Sequence, residues 1–211
     1  QYSAEPAPGD LKITREVNSI NPLNWIRIGL KIKKAKPDLL ITKYWLPFMG
    51  PCFGTILRIA KSNGHTRVIT IVHNMIPHEQ RPGDELFTRY FVPPVDAFVA
   101  LSEKVLKDIS LFDEYKPRTL YPHPLFDNFG EAVSRETALQ KLGLDPNFQY
   151  ILFFGFIRKY KGLDLLLDAF ADPRFREKSI KLIIAGEYYT DRKSYDQQIE
   201  RLQLSPQIIA Y

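Results

Sequence analysis

Seven short apolar, β-rich runs recur along the chain with helical segments between them, and that alternation leaves few folds open. The runs are residues 38–42 (DLLIT), 67–72 (RVITIV), 96–101 (DAFVAL), 118–121 (RTLY), 150–154 (YILFF), 180–185 (IKLIIA) and 207–211 (QIIAY). Each is continuous rather than alternating, which predicts strands buried on both faces of a parallel sheet. Helices are predicted at 23–35, 51–63, 84–92, 102–110, 134–142, 163–171 and 191–204. The first carries one apolar set at Leu23, Ile26 and Leu30 and another at Ile28, Ile32 and Ala35, and Pro37 stops it. The second has Pro51 at its start and Gly64 just past its end. Asp84 and Ser102 stand first in the next two as capping residues, and Gly143 ends the fifth. Strand and helix in this order predict an α/β fold with right-handed crossovers. Residues 122–147 break the rhythm with Pro122, Pro124, Asp127-Asn128, Gly130 and Pro146. We read them as the passage between two α/β units, residues 1–124 and 125–211.

Composition narrows the class of protein. With 45% hydrophobic residues and a net charge of only +5, most of the chain is excluded from disorder. No run approaches the ~18 apolar residues that span a bilayer. The opening residues 1–6 (QYSAEP) lack the basic and apolar regions of a signal peptide. A single cysteine, Cys52, excludes a disulfide within the chain and fits a reducing compartment. The expected location is cytoplasmic. The first residue is not methionine, and the last run reads as a strand with nothing after it to cover its faces. The chain therefore reads as a fragment, although an edge strand with a ragged tail gives the same pattern, and unpaired sheet edges are expected to make it self-associate or merge its strands into one sheet.

Three stretches could carry chemistry. In residues 151–164 (ILFFGFIRKYKGLD) a strand ends at Gly155 and a helix begins near Gly162, with Arg158, Lys159 and Lys161 in the loop between. Ligands of open α/β sheets bind beyond the carboxyl ends of strands, and a helix N-terminus with adjacent basic groups favours a pyrophosphate. Gly155 and Gly162 would let the backbone approach such a ligand closely. A solvated basic turn explains the same residues equally well. Neither a Walker A loop nor a G-x-G-x-x-G fingerprint occurs. The second stretch, 71–79 (IVHNMIPHE), places His73 and Asn74 just past a strand, where an imidazole can bond a sugar hydroxyl or exchange a proton. A histidine satisfying backbone groups in a tight loop is the plainer account. His73 and His78 are five apart with Pro77 between, His65 and His123 fall in separate turns, and Cys52 is alone, so no metal site is expected. The third stretch, 183–189 (IIAGEYY), offers Glu187 as an acceptor for a ribose or base. Ser102 is read as a helix cap, because no G-x-S-x-G elbow surrounds it. Basic residues Arg27, Lys31, Lys33, Lys34 and Lys36 cluster on the first helix near Trp25. Without an accompanying aromatic-basic RNA motif, no nucleic-acid partner is expected, and peripheral contact with the inner face of a membrane suits this face better.

The order of VHN at 72–74, VALSE at 99–103, FGFIRKYKG at 154–162 and IAG at 184–186 resembles glycosyltransferase family 4. The resemblance covers residues 37–186. It implies the GT-B fold, two Rossmann-like domains facing across a cleft, and sugar transfer from a nucleotide-diphosphate donor with retention and without a metal or other cofactor. The acceptor it implies is a cell-surface glycan or a lipid-linked molecule, as in polysaccharide biosynthesis. By the same resemblance Gly155, Arg158, Lys161 and Gly162 hold the donor diphosphate, His73 reaches the transferred sugar as the catalytic-side residue, and Glu187 lies near the nucleoside. The chain departs from the common Gly-Arg-Leu-x3-Lys-Gly pattern: Phe156 takes the usual place of the arginine, and Arg158 sits two residues nearer the lysine. The family's glycine-rich first loop would precede Gln1 and its E-x7-E segment would follow Tyr211, so the chain by itself is expected to be inactive. Two other readings remain open at this level. One is a non-catalytic α/β module that binds a phosphorylated ligand, and the other is a basic interaction protein using the 27–36 face.

Overall fold

Four strands, β1 (Leu39–Tyr44), β2 (Arg67–Val72), β3 (Ala97–Ala100) and β4 (Arg118–Leu120), pair in parallel and in that spatial order in the computed structural model of the chain. The structure describes residues 9, 11–125, 130–176 and 179–211. Most of the opening stretch 1–10, and Asp127 and Asn128 of the passage, lie outside the described residues. Two units divide the chain, Gln1–Leu125 and Phe126–Tyr211.

In the first unit the crossovers are helical. The elements α1 (Pro22–Ala35), α2 (Gly50–Lys61), α3 (Asp84–Phe91) and α4 (Glu103–Ser110) alternate with the strands. The side chain of Asn21 accepts from the amides of Leu23 and Asn24 to start α1, and Lys36 ends it in the left-handed region at φ 44°. Gly29 lets α1 lie directly on α2, because a Cβ there would come within 2.7 Å of Ile59. Ser102 caps α4 through the Val105 amide. The cap expected from Asp84 is not made. Gly83, at φ 94°, occupies the cap of α3, and the Asp84 carboxylate accepts from the Arg81 amide outside the helix. The core gathers Tyr44, Leu57, Val68, Val72, Phe91, Phe98 and Ile109. Tyr44 stacks on Phe91 at 4.2 Å, and its hydroxyl bonds the Thr88 Oγ1 at 2.9 Å within that core.

The second unit holds β5 (Gln149–Phe154), β6 (Ile180–Ala185) and β7 (Ile208–Ala210), parallel and in that order. Around them stand α5 (Arg135–Leu142), α6 (Leu163–Phe170), the four-residue α7 (Pro173–Arg176) and α8 (Arg192–Arg201). Leu163, Leu167 and Phe170 of α6 are buried against Leu182 and Ile184 of β6. The Gln198 side chain donates to the Asp164 carbonyl and to the Asp168 carboxylate, tying α8 to α6.

The expectation of strands buried on both faces holds for β6 and fails at the sheet edges. Ile41 on β1 is 58% exposed, and Phe154 on β5 is 81% exposed. Both strands stand at the edge of their sheets, where a strand has a neighbour on one side only. Of the two apolar sets on α1, the structure buries Ile28 and leaves Leu23, Ile26 and Leu30 exposed.

Candidate functional site

The loops after β5 and β6 run side by side in the second unit. The backbone pairing of the two strands continues past their ends. Gly155 donates its amide to the Ala185 carbonyl at 3.0 Å, Ile157 to that of Glu187 at 2.8 Å, and Tyr189 to that of Ile157 at 3.0 Å. Two glycines shape this extension for different reasons. Gly155 sits at φ 115°, a conformation that L side chains rarely adopt, while the space where its Cβ would stand is open. Gly186 is needed for proximity: a Cβ there would lie 1.9 Å from the Gly155 carbonyl oxygen. Ile157, fully buried next to the exposed Phe156, anchors the loop in the core.

From this anchor the chain turns outward. Arg158 is extended, and residues Lys159–Lys161 make one 3-10 turn. Gly162 closes that turn at φ 73° and serves as the cap of α6 with no side-chain bond to the helix amides. The N-terminus of an eight-residue helix is thus presented next to Arg158 and Lys161 in sequence, with its first amides uncapped by any side chain. Backbone N–H groups, a helix dipole and two cations favour a dianionic group such as a pyrophosphate. The Arg158 guanidinium lies over the Tyr189 ring at 4.8 Å, and the Lys161 ammonium lies 5.4 Å from the centre of the Tyr160 ring. Phe156 meets Tyr189 edge-on at 4.9 Å. Glu187 is exposed on the adjoining loop, its carbonyl engaged by Ile157.

His73 belongs to the first unit, just past β2, where its amide donates to the Tyr44 carbonyl at 2.8 Å. Its half-buried ring stands 5.7 Å from that of His123, the two tilted by 68°. Burial is the largest cause that holds the His73 imidazole below its usual pKa, and the charges of Lys43 and His123 act in the same direction. At neutral pH the ring can therefore donate from one nitrogen and accept at the other. Met75, Ile76, Pro77, Arg81, Asp84 and Arg89 help to line a cavity of about 430 Å³ in the same unit, and His73 is not among its walls.

The structure thus brings Gly155, Arg158, Lys161, Gly162 and Glu187 to one edge of one sheet, and it places His73 at the corresponding edge of the other. Sequence reasoning missed three residues. His73 comes one residue after β2 and His123 three residues after β4, and parallel strands end at one sheet edge, so the strand pattern contained the signal that the two share that edge. Tyr189 and the steric need for Gly186 depend on the approach of two loops that the whole of α6 and α7 separates in sequence, which no local pattern displays.

Residues 134–211 match the sequence model of the family described as Glycosyl transferases group 1. Solved structures share the fold of most of the chain. TarM matches at 14% identity and a TM-score of 0.61, covering 89% of this chain and 36% of its own. HepE from Anabaena, solved in complex with UDP and glucose, matches at 16% and 0.61, covering 87% and 50%. WaaG, described as a glycosyltransferase involved in lipopolysaccharide biosynthesis, matches at 13% and 0.53, covering 82% and 70%. The chain spans 36% of the length of TarM and 50% of that of HepE. The likeness assigns the fold: α/β, with Rossmann-like parallel sheets of the GT-B type.

Proposed function

From the match of residues 134–211 to the glycosyl transferases group 1, we propose that this chain serves the transfer of a sugar from a nucleotide-diphosphate donor, with retention of configuration and without a metal. The observation that carries the proposal is the loop from Gly155 to Gly162, where Arg158 and Lys161 lead into the uncapped N-terminus of α6. In the reaction the bond between the anomeric carbon and the diphosphate oxygen breaks, and the acceptor hydroxyl oxygen bonds the same carbon and gives up its proton to an oxygen of the departing diphosphate. Negative charge grows on the departing diphosphate. Arg158, Lys161 and the first amides of α6 oppose it with fixed positive charge, the work that a divalent ion does in other sugar transferases. Gly155 and Gly162 give the loop a backbone shape that other residues rarely adopt. We assign Glu187 to the nucleoside side and His73 to the transferred sugar, where a neutral imidazole bonds a hydroxyl.

The donor class draws support from HepE, whose structure holds UDP and glucose, and from a trehalose-6-phosphate protein from E. coli solved with UDP-2-fluoro glucose. WaaG acts in lipopolysaccharide biosynthesis, which favours a cell-surface glycan or lipid-linked acceptor. Exposed Leu23, Ile26 and Leu30 beside Arg27, Lys31 and Lys34 on α1 favour peripheral contact with an anionic membrane face, and no described helix is long and apolar enough to cross a membrane. The test is turnover in the full-length enzyme with a panel of nucleotide-sugar donors. Arg158→Ala and Lys161→Ala each lower kcat more than tenfold, and wild-type rates from both would overturn the diphosphate assignment.

A further inference from the structure

The anion loop and the loop after β6 together carry more aromatic surface than a phosphate needs, and one ring of the second loop lies against the arginine that the proposed function uses. We infer that Tyr189 is a positioning residue: its ring holds the Arg158 guanidinium in place for the diphosphate. The inference rests on the donor reading given above and adds a second loop to the site.

Four observations converge on it. The guanidinium carbon lies 4.8 Å from the centre of the Tyr189 ring, within the range of a cation–π contact. The ring itself is braced, since Phe156 meets it edge-on at 4.9 Å. Its backbone is fixed to the loop that bears Arg158, through the bond from the Tyr189 amide to the Ile157 carbonyl and the bond from Ile157 to Glu187. Gly186 lets the two loops come this close, because any side chain there would strike the Gly155 carbonyl. The result is a relay from the β6 loop to a side chain on the β5 loop.

A cation–π contact suits this work because of what it leaves available. The ring attracts the positive charge as a whole, whereas the N–H donors that grip a phosphate lie around the rim of the guanidinium. An arginine has a long stem with many rotamers, and ordering it at the moment of binding weakens the complex. A ring that orders it beforehand removes that loss. A phenol hydroxyl is not required, and a ring with an electron-rich face is.

The experiment measures binding of inorganic pyrophosphate and of UDP by calorimetry to the full-length protein, wild type and variants. Tyr189→Leu weakens both ligands about tenfold, which corresponds to about 1.36 kcal/mol. Tyr189→Phe stays within about twofold of wild type. Pentafluorophenylalanine at position 189 keeps the size of the ring and reverses the charge of its face, so it loses as much as leucine does. It also decides the matter if Tyr189→Leu fails to fold. Combining Arg158→Ala with Tyr189→Leu costs no more than Arg158→Ala alone, because the ring acts through the arginine.

Three results would overturn the inference and leave the donor reading standing. The first is full affinity in Tyr189→Leu while Arg158→Ala loses more than tenfold. The second is wild-type binding with the fluorinated ring, which would reduce Tyr189 to packing. The third is a loss confined to UDP, or additive with Arg158→Ala, which would make the ring a platform for the base. Unchanged pyrophosphate and UDP affinity in Arg158→Ala and Lys161→Ala would instead remove the donor reading itself, and the role of Tyr189 with it.

Discussion

Replacing Gly186 with alanine tests the geometry on which the site depends. The new Cβ would stand 1.9 Å from the Gly155 carbonyl oxygen and 2.8 Å from its carbon, and both atoms are backbone. Restoring an ordinary contact of 3.4 Å requires the loops to part by well over an ångström. Three hydrogen bonds of 2.8 to 3.0 Å cross that gap, from Gly155 to Ala185, from Ile157 to Glu187 and from Tyr189 to Ile157. None survives a displacement of that size. At about 1 kcal/mol net for each, the expected loss is about 3 kcal/mol. For a unit of this size that corresponds to a fall in Tm on the order of 12–24 °C. Urea unfolding followed by circular dichroism gives the free energy, and amide hydrogen exchange at Ile157 and Tyr189 locates it. Gly155→Ala is the control. Its Cβ meets nothing within 4 Å, so only the strain of φ 115° is felt, about 1–3 kcal/mol. A Gly186→Ala protein as stable as wild type, with both amides still protected, would refute the reasoning.

Two further predictions concern pH. Burial pushes the Tyr44 phenol up to about 12, with the Thr88 hydrogen bond opposing it and the Asp84 charge adding to it. A raised folded-state pKa means that stability is intact below about pH 10 and is lost as the pH climbs toward 12, by about 2–3 kcal/mol in all. Urea melts across that range should show the loss, and Tyr44→Phe should abolish it. For His73 the sign is reversed. Its folded pKa is depressed, so its contribution is present above the usual imidazole pKa and declines as the pH falls through it. An NMR titration of the ring should find its midpoint below 6.5, and Lys43→Gln should raise that midpoint.

Local chemistry made most of the fold legible. Pro37, Gly64 and Gly143 end helices where their backbone preferences require, and Ser102 caps the helix it precedes. β2 and β6 are central strands, and their apolar runs coincide with the observed elements residue for residue. Errors arose where neighbours decide the outcome. The run at β5 reads as doubly buried, yet its place at a sheet edge exposes Leu152 and Phe154. Asp84 is a sound capping residue by type, but Gly83 takes the position with a backbone that aspartate rarely adopts. The four-residue α7 is too short for periodicity to register. In the candidate site, Gly155, Arg158, Lys161 and Gly162 stand together because they are sequential. Tyr189 reaches Arg158 only through tertiary structure.

The pairing of β5 with β6 also governs when the site can come into being. Phe154 and Ala185 are partners across the sheet, and the whole of α6 must be laid down between them. Closing so long a loop costs entropy before any strand bond repays it, which makes parallel registers slow to form. The 3-10 turn at Lys159–Lys161 can fold on its own timescale, since its bonds are local. Its cations acquire a fixed setting only after the non-local register has locked. A chain caught early in refolding would hold the helices and lack the fixed loop, and, on the proposed reading of that loop, competence to bind a diphosphate would report the last stage of folding of this unit rather than the first.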